Sequence, residues 1–235
     1  DRVDEGTAFG AAALFDWDYD PKGQVTAADR YLGTDPDNPG AAVPGDDSTF
    51  DYDEIGNRLA STFGTGPQRA YTRNILNEYT AITNPTATPT HDDDGNMTYD
   101  GQGWWFEWNG ENRMISARNY SDPATPSSGS ILLKFSYDYM GRRVAKTVVE
   151  YDSQLGAMQT VSEERFVYDG WNLIGSSPAA DFVSFTLAKR YLWGMDLSGS
   201  LQGAGGVGGL LSVTDHASGG VFYATYDANG NVSEY

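Results

Sequence analysis

Three aspartates at alternate positions, Asp16, Asp18 and Asp20, are the first residues whose type and spacing could do chemistry. Carboxylates spaced in this way occur in calcium-binding loops of the EF-hand kind. Such a loop needs Gly where Pro21 stands, and no Glu follows at the distance that would complete the site. The alternation of aromatic and acidic residues over 15–19 is instead typical of a strand. The sequence therefore favours a strand here and predicts no bound metal.

Two histidines could take part in proton transfer, since His91 and His216 are the only imidazoles in the chain. Asp215 precedes His216, so a Ser-His-Asp set can be assembled, but no Gly-x-Ser-x-Gly turn supports it. The 33 Asp and Glu residues include no pair that stands out for glycoside hydrolysis. Each histidine is interpreted as a surface or turn residue. We expect no catalytic residues and no enzyme.

A run of glycines at 203–209 has the composition of a phosphate-binding loop. It lacks the Lys and Ser/Thr of the Walker pattern, and no strand–loop–helix context surrounds it. A Gly run between β segments is more typical of a backbone packed closely against another backbone. We therefore expect no nucleotide and no cofactor.

The most aromatic stretch lies at 104–108 and could stack against sugars. Trp104, Trp105 and Trp108 would form the platform of a cell-surface carbohydrate-binding or adhesion module, with surface glycans as partners. The alternative is structural, because strand alternation would place Trp104, Phe106 and Trp108 together on one inner face of a sheet. The pattern favours the structural interpretation.

Composition limits the remaining function classes. The 235 residues carry 33 acidic and 15 basic side chains, a net charge of −18, which disfavours binding to nucleic acid. There is no Cys, so disulfides and thiol chemistry are excluded. No apolar run approaches the about 18 residues of a membrane helix. The 28 Gly and 13% aromatics are typical of short strands joined by tight turns.

A repeated seven-residue pattern, Tyr-Asp-x-x-Gly followed by Asn or another polar residue and any residue, predicts the elements that position all these residues, and we call it the turn unit. Its Asp can bind backbone N–H groups two residues further on, and its Gly suits the left-handed conformation after a type I turn. Such turns join antiparallel strands, and the Tyr would end the incoming strand. The unit occurs at 19–25, 52–58, 137–143 and 226–232, with shorter or degenerate copies at 93–97, 108–114 and 168–170. The predicted structural turn residues are Tyr19, Asp20, Gly23, Tyr52, Asp53, Gly56, Asn57, Asp93, Gly95, Asn96, Tyr137, Asp138, Gly141, Tyr168, Asp169, Gly170, Tyr226, Asp227, Gly230 and Asn231.

These units predict an all-β fold of serial antiparallel β-hairpins that form a curved, spiralling sheet. The chain begins at Asp1 without Met or a signal peptide and ends just after a turn unit. We therefore expect residues 1–235 to be a single segment of a longer repeat protein.

On these motifs the chain resembles the bacterial Rhs or YD-repeat proteins, from Tyr19 to Tyr235. The resemblance implies a hollow shell of hairpins, which in the polymorphic toxin systems of that family encloses a C-terminal toxin. It also implies that the partners are the rest of the shell and the enclosed domain, and that the location is secreted or at the bacterial cell surface. The family's self-cleaving core contains paired Asp-Pro-x-Gly segments, whereas Asp35-Pro36-Asp37 and Asp122-Pro123-Ala124 lack the Gly. Self-cleavage and toxin activity are therefore not expected of this segment.

Overall fold

A computed structural model describes residues 2–4, 13–33, 35, 37–178, 187–226, 230 and 232–234. These residues form β-strands, turns and bends, and the described part of the chain contains no helix. None of its elements is therefore a helix long and apolar enough to cross a bilayer. The prediction of an all-β fold made of serial antiparallel hairpins is confirmed.

The chain divides into two compact units, residues 1–102 and 103–235. The first unit has a seven-stranded sheet whose order, β1 to β7, follows the sequence, and a hairpin of β8 and β9. Its strands are β1 Arg2–Asp4, β2 Ala13–Tyr19, β3 Val25–Leu32, β4 Ser48–Tyr52, β5 Arg58–Phe63, β6 Arg69–Arg73, β7 Tyr79–Ile82, β8 Thr90–His91 and β9 Met97–Tyr99.

The second unit repeats this arrangement, because β10 to β18 are also neighbours in sequence order and β19 pairs with β20. Its strands are β10 Trp105–Trp108, β11 Met114–Arg118, β12 Ile131–Tyr137, β13 Arg143–Asp152, β14 Ala157–Asp169, β15 Asn172–Pro178, β16 Lys189–Trp193, β17 Leu210–Asp215, β18 Gly220–Tyr223, β19 Thr225–Tyr226 and β20 Val232–Glu234. The sequence pattern over 182–193 predicts a strand. The first part of that range lies outside the described residues, and β16 begins at Lys189.

Six hairpin turns share one set of hydrogen bonds, and Asp53 illustrates it. The Asp53 Oδ1 atom accepts bonds from the N–H groups of Ile55 and Asn57 at 3.0 and 2.8 Å. The backbone adds two more bonds, from Asp53 N to Asn57 O and from Gly56 N to Asp53 O. The same four bonds occur in the turns that begin at Asp20, Asn74, Asp92, Asn109 and Asp138.

The fifth residue of each of these turn units has a positive φ, between 56° and 96°. It is Gly in four turns and Asn in two, the residue types that tolerate the left-handed conformation. The six residues are Gly23, Gly56, Asn77, Gly95, Asn112 and Gly141. A bulge accompanies each turn, so that position 1 of the unit pairs with position 7.

Few large apolar side chains are buried in the described residues. The buried apolar residues are Ala13, Leu14, Ala87, Ala117, Ala145, Val149 and Val213. Two sheets packed face to face would enclose large aliphatic and aromatic side chains between them. Most aromatic residues of the strands are instead half-buried. Pairing between neighbouring strands therefore contributes more to this fold than a filled core does.

We expect Gly141→Ala to lower the free energy of unfolding by about 1–2 kcal/mol, because Ala is strained in the left-handed conformation. Gly141 has a φ of 83°, whereas Gly110 lies in a neighbouring turn without a positive φ and with open space around it. Gly110→Ala is the matched control and should change stability by less than about 0.5 kcal/mol. Urea denaturation of both variants measures the difference, and equal losses would contradict this account of the turn.

Candidate functional site

The turn units are the part of the molecule where side chains from successive hairpins meet. In the four units that begin at Tyr19, Tyr52, Trp108 and Tyr137, an aromatic residue occupies position 1 and pairs with position 7 across the bulge. The Asp or Asn at position 2 binds backbone N–H groups of its own turn. The aromatic ring is thus held at a fixed place beside the next hairpin.

Two turns differ from the units proposed from the sequence. In the turn at 91–97 the residue that accepts the backbone bonds is Asp92, while Asp93 is exposed and His91 takes the place of the aromatic. The assignment of Asp93 to the Asp position is therefore wrong by one residue. The sequence over 71–82 also predicts a hairpin with its turn at or near 76–78. The turn lies at 73–79, and Asn74 accepts its backbone bonds.

The turn after Tyr168 is shorter than the others. Asp169 pairs directly with Asn172, and Gly170 and Trp171 form a two-residue turn in which Gly170 has a φ of 56°. At the last unit, Tyr226 pairs with Val232 and Gly230 has a φ of 78°, while Asp227 and Asn231 lie outside the described residues.

An aromatic ladder of four hydrogen bonds links five hairpins of the second unit. The Tyr137 hydroxyl donates to the carbonyl of Met114 at 2.7 Å, and the Tyr168 hydroxyl donates to the carbonyl of Arg143 at 3.0 Å. The ladder continues with the indole of Trp193, which donates to Leu173 O at 2.7 Å, and with the hydroxyl of Tyr226, which donates to Leu210 O. Each acceptor is the residue paired with the aromatic residue of the preceding hairpin. Every hydrogen bond of the ladder therefore connects the same two positions of one hairpin and the hairpin before it.

Arginines reinforce the ladder at the turns. The guanidinium of Arg113 lies 5.6 Å from the ring centroid of Tyr137 and donates to the carbonyl of Asp138 at 2.9 Å. Arg142 repeats this one hairpin later, 5.1 Å from the ring of Tyr168 and bonded to the carbonyl of Gly170. A cation over a ring face is attracted by the ring quadrupole, so each Arg binds its own turn to the next.

The first unit has related links with other residue types. The N–H of Arg58 donates to the hydroxyl of Tyr79 at 2.7 Å. Arg73, which takes the place of the aromatic in its turn, forms an ion pair with Asp53 of the preceding turn at 2.7 Å. The amide of Asn57 also reaches Asn77 at 3.2 Å. Contact between successive turns is thus common to both units.

Asp196 organises the long connection between β16 and β17 and was not singled out from the sequence. Its carboxylate accepts bonds from Ser198 N, Ser198 Oγ, Ala204 N and Gly206 N, and the residue is only 6% exposed. The N–H groups of the glycine run that resemble a phosphate cradle are therefore bound by a carboxylate of the chain itself. The run is also closely packed, since a side chain on Gly206 would meet Asn172 and Trp193.

Hydrogen bonds lower the pKa of two of these turn carboxylates. The bond from the Asn57 side chain, followed by those from backbone N–H groups, lowers the pKa of Asp53 to about 2. The bonds from the Ser198 hydroxyl and from the backbone lower the pKa of Asp196 to about 2. Hydrogen bonds to the charged form favour that form, so both carboxylates stabilise the fold as anions.

The aspartates considered as metal ligands take part in the turns and strands of the first unit. Asp20 accepts the backbone bonds of the first turn, and Asp16 pairs with Asp29 across β2 and β3. Burial, and then the nearby carboxylates of Asp47, Asp18 and Asp16, raise the pKa of Asp29. No group of three His, Asp or Glu side chains within the described ranges is placed to hold a metal ion.

The histidines lie at the ends of strands. His91 is the last residue of β8, and the His216 backbone N–H donates to the carbonyl of Ala188 at 2.8 Å. The carboxylate of Asp215, next to His216, accepts bonds from the N–H groups of Ala217 and Ser218. That carboxylate therefore caps a turn.

The tryptophans at 104–108 do not share one strand face. β10 begins at Trp105, so Trp104 lies before it, and the bulge beside Trp108 adds its extra residue, Ile115, to β11. β10 therefore keeps its alternation, with Phe106 and Trp108 on one face as predicted and Trp105 on the other. The guanidinium of Arg118 lies 5.5 Å from the ring of Trp105 and covers it on one side. No contact of the described residues favours a shared sugar platform of Trp104, Trp105 and Trp108.

Comparisons with known proteins give structural likenesses only. No family model matches the sequence, and no curated protein matches it. A TcdB2-TccC3 structure without its hypervariable C-terminal region matches 94% of this chain with a TM-score of 0.45 and 14% identity. A Tc holotoxin pore from Photorhabdus luminescens matches 94% with a TM-score of 0.37 and 11% identity, and a porin-like protein from Bacteroides uniformis matches 100% with 0.38 and 11%.

The chain spans 12% and 14% of the two toxin-complex chains, and it spans 92% of the porin-like protein. All three TM-scores lie below 0.5, so these likenesses identify neither a family nor a function.

We expect Tyr137→Phe and Tyr168→Phe each to lower the free energy of unfolding by about 1 kcal/mol, because each removes one hydrogen-bond donor of the ladder and keeps the ring. Tyr139→Phe is the control, since Tyr139 is 92% exposed at a turn tip. Guanidinium denaturation followed by Trp fluorescence measures the loss. A control that loses as much as the ladder variants would show that the hydroxyl bonds contribute nothing specific.

We expect the stability of the protein to fall as the pH is lowered from about 4 to about 2. The stabilisation from Asp196 is complete above its unfolded pKa of about 3.9 and is lost as the pH falls through its folded value of about 2. Asp196→Asn should lower the urea midpoint at pH 7 and reduce its dependence on pH below 4. Asp93→Asn, at an exposed turn position, should leave that dependence unchanged. A wild-type pH profile in Asp196→Asn would contradict the role of this carboxylate.

Proposed function

We propose that this chain is a wall segment of an Rhs or YD-repeat shell that encloses a C-terminal toxin or effector domain. Its function is structural, and catalysis resides elsewhere in the longer protein. The proposed partners are the neighbouring hairpins of the same shell and the enclosed domain. The proposed location is outside the bacterial cytoplasm, secreted or at the cell surface.

The aromatic ladder is the observation that carries this proposal. Tyr137, Tyr168, Trp193 and Tyr226 each bind the hairpin that precedes them in the chain. A hydrogen bond that involves only the preceding hairpin can recur along any number of hairpins, as in other repeat proteins whose units contact only their neighbours. Such a repeated contact suits a wall, because the size of a wall depends on the number of its hairpins.

The thin core supports the same function. A binding or catalytic domain of this size usually encloses a large apolar core, whereas four of the seven buried apolar residues here are Ala. The strands are stabilised by pairing with their neighbours within the sheet, which is what a wall one layer thick requires.

The charge of the chain fits a wall that stays soluble. Acidic residues at turns and on strand faces give a net charge of −18, and like charges oppose stacking of one sheet edge on another. The same charge disfavours a role in binding nucleic acid.

Limited proteolysis of the full-length protein tests the proposal. A domain enclosed by the wall should be cut at least about tenfold more slowly than the same domain expressed alone, because cleavage then requires opening of the wall. The double variant Tyr137→Phe/Tyr168→Phe removes two ladder bonds and should raise the cleavage rate by about tenfold. Tyr139→Phe should leave the rate unchanged.

Two outcomes would contradict the proposal. One is cleavage of the following domain at the same rate in the full-length protein and in isolation. The other is an electron-microscopy reconstruction in which this segment forms part of a solid β-sandwich, since a wall segment should border a hollow.

A further inference from the structure

A cleft of about 450 Å³ lies on the sheet of the second unit and is not part of the ladder. Residues of β10, β11 and β12 line it together with the connection between β11 and β12. The lining residues are Glu107, Ile115, Ser116, Arg118, Tyr120, Pro123, Leu132, Lys134, Phe135 and Ser136. A volume of this size is typical of sites for small molecules.

A row of three polar residues crosses the cleft. Glu107 pairs with Ser116 and Ser116 pairs with Lys134, so the three side chains project from the same face of adjacent strands. The Ser116 hydroxyl donates to Glu107 Oε2 at 2.8 Å, which engages the carboxylate within the protein. Lys134 is exposed and makes no hydrogen bond or ion pair with the described residues. The ammonium of Lys134 is therefore the group of this row that is available to a ligand.

The outer wall of the cleft is ordered by the chain itself. Arg118 donates to the carbonyls of Tyr120 and Ser121. Asn119 binds both Gly129 O and Ile131 N and so closes the base of the connection. Because the wall is held by bonds at both ends, the cleft is formed before a ligand enters, and little ordering of the chain opposes binding.

Arg118 gives the cleft a second positive charge. Its guanidinium lies 5.5 Å from the ring of Trp105 and 5.9 Å from that of Tyr120, and its Nε is buried without a hydrogen-bond partner. Arg118 also interacts electrostatically with the carboxylate of Asp122 in the same connection. The two cations, Arg118 and Lys134, are therefore matched by the carboxylates of Glu107 and Asp122, and the Lys134 ammonium remains outside any ion pair with the described residues. Pro123, Leu132 and Ile115 supply apolar lining beside it.

We propose that this cleft binds a small organic anion with an apolar body. The anionic group lies at the Lys134 ammonium and near the Nε of Arg118, and the body contacts Leu132, Tyr120 and Pro123. Glu107, already bonded to Ser116, restricts the anion to the Lys134 side of the row. This inference does not depend on the proposed wall function, since it rests on three strands and one connection within a single unit.

Two fluorescent probes of similar shape test the inference on the full 235-residue chain. Anilinonaphthalene sulfonate carries an anionic group, and phenylnaphthylamine has the same rings without it. The sulfonate should bind at one saturable site, and Lys134→Gln should weaken it about fivefold while changing the neutral probe less than about twofold. Lys146→Gln is the matched control, because Lys146 pairs with Phe135 and projects from the opposite face to Lys134.

Displacement of the sulfonate by octanoate and by phenylbutyrate then distinguishes an aliphatic from an aromatic anion, and displacement by either supports the site. The inference is overturned if neither carboxylate displaces the probe. It is equally overturned if Lys134→Gln and Lys146→Gln weaken the sulfonate to the same extent, or if Lys134→Gln weakens both probes alike. Matching circular dichroism spectra and urea midpoints of the two variants ensure that the comparison reports the cleft.

Discussion

The carboxylate or amide oxygen at position 2 of each turn unit fixes the geometry on which the other contacts depend. It accepts two backbone N–H groups that the tight turn leaves without strand partners, as Asp53 does for Ile55 and Asn57. The left-handed residue at position 5 then lets the chain return with a bulge. As a result position 1 always lies opposite position 7, whatever residues occupy these two places.

The aromatic ladder follows from this register. A Tyr or Trp at position 1 ends its strand beside the preceding hairpin, and its polar tip lies about one ring length from its own backbone. Because the preceding hairpin has the same register, the carbonyl at its position 7 lies within hydrogen-bond distance of that polar tip. Met114 provides this carbonyl for Tyr137, and Arg143 provides it for Tyr168. One local rule in the turn therefore produces a long-range order of hairpins, without a large enclosed core.

The sequence predicted the hairpins well because Tyr-Asp and Gly are strong local signals at 52–56 and 137–141. It failed where several residues could satisfy the same backbone groups. In the run His91-Asp92-Asp93-Asp94 any carboxylate could take the capping place, and only the register of β8 and β9 selects Asp92. Asp196 gives no local signal at all, since two of its donors, Ala204 and Gly206, are eight and ten residues away. The bulge that adds Ile115 to β11 is likewise a property of the paired strands, and the alternation of a single strand does not predict it.

The positions of the arginines explain how so many aromatic rings can remain half-buried. Seven of the eleven arginines lie within about 6 Å of a ring centroid, namely Arg30, Arg58, Arg69, Arg113, Arg118, Arg142 and Arg143. A planar guanidinium is weakly hydrated, so it can cover an aromatic face that a second sheet would otherwise have to cover. Arg143 of β13 does this for Phe135 and Phe166 on the two strands that flank it, β12 and β14. The guanidinium groups thus provide part of the shielding that a filled core gives to aromatic residues in other β folds, in a chain whose described residues bury few large apolar side chains.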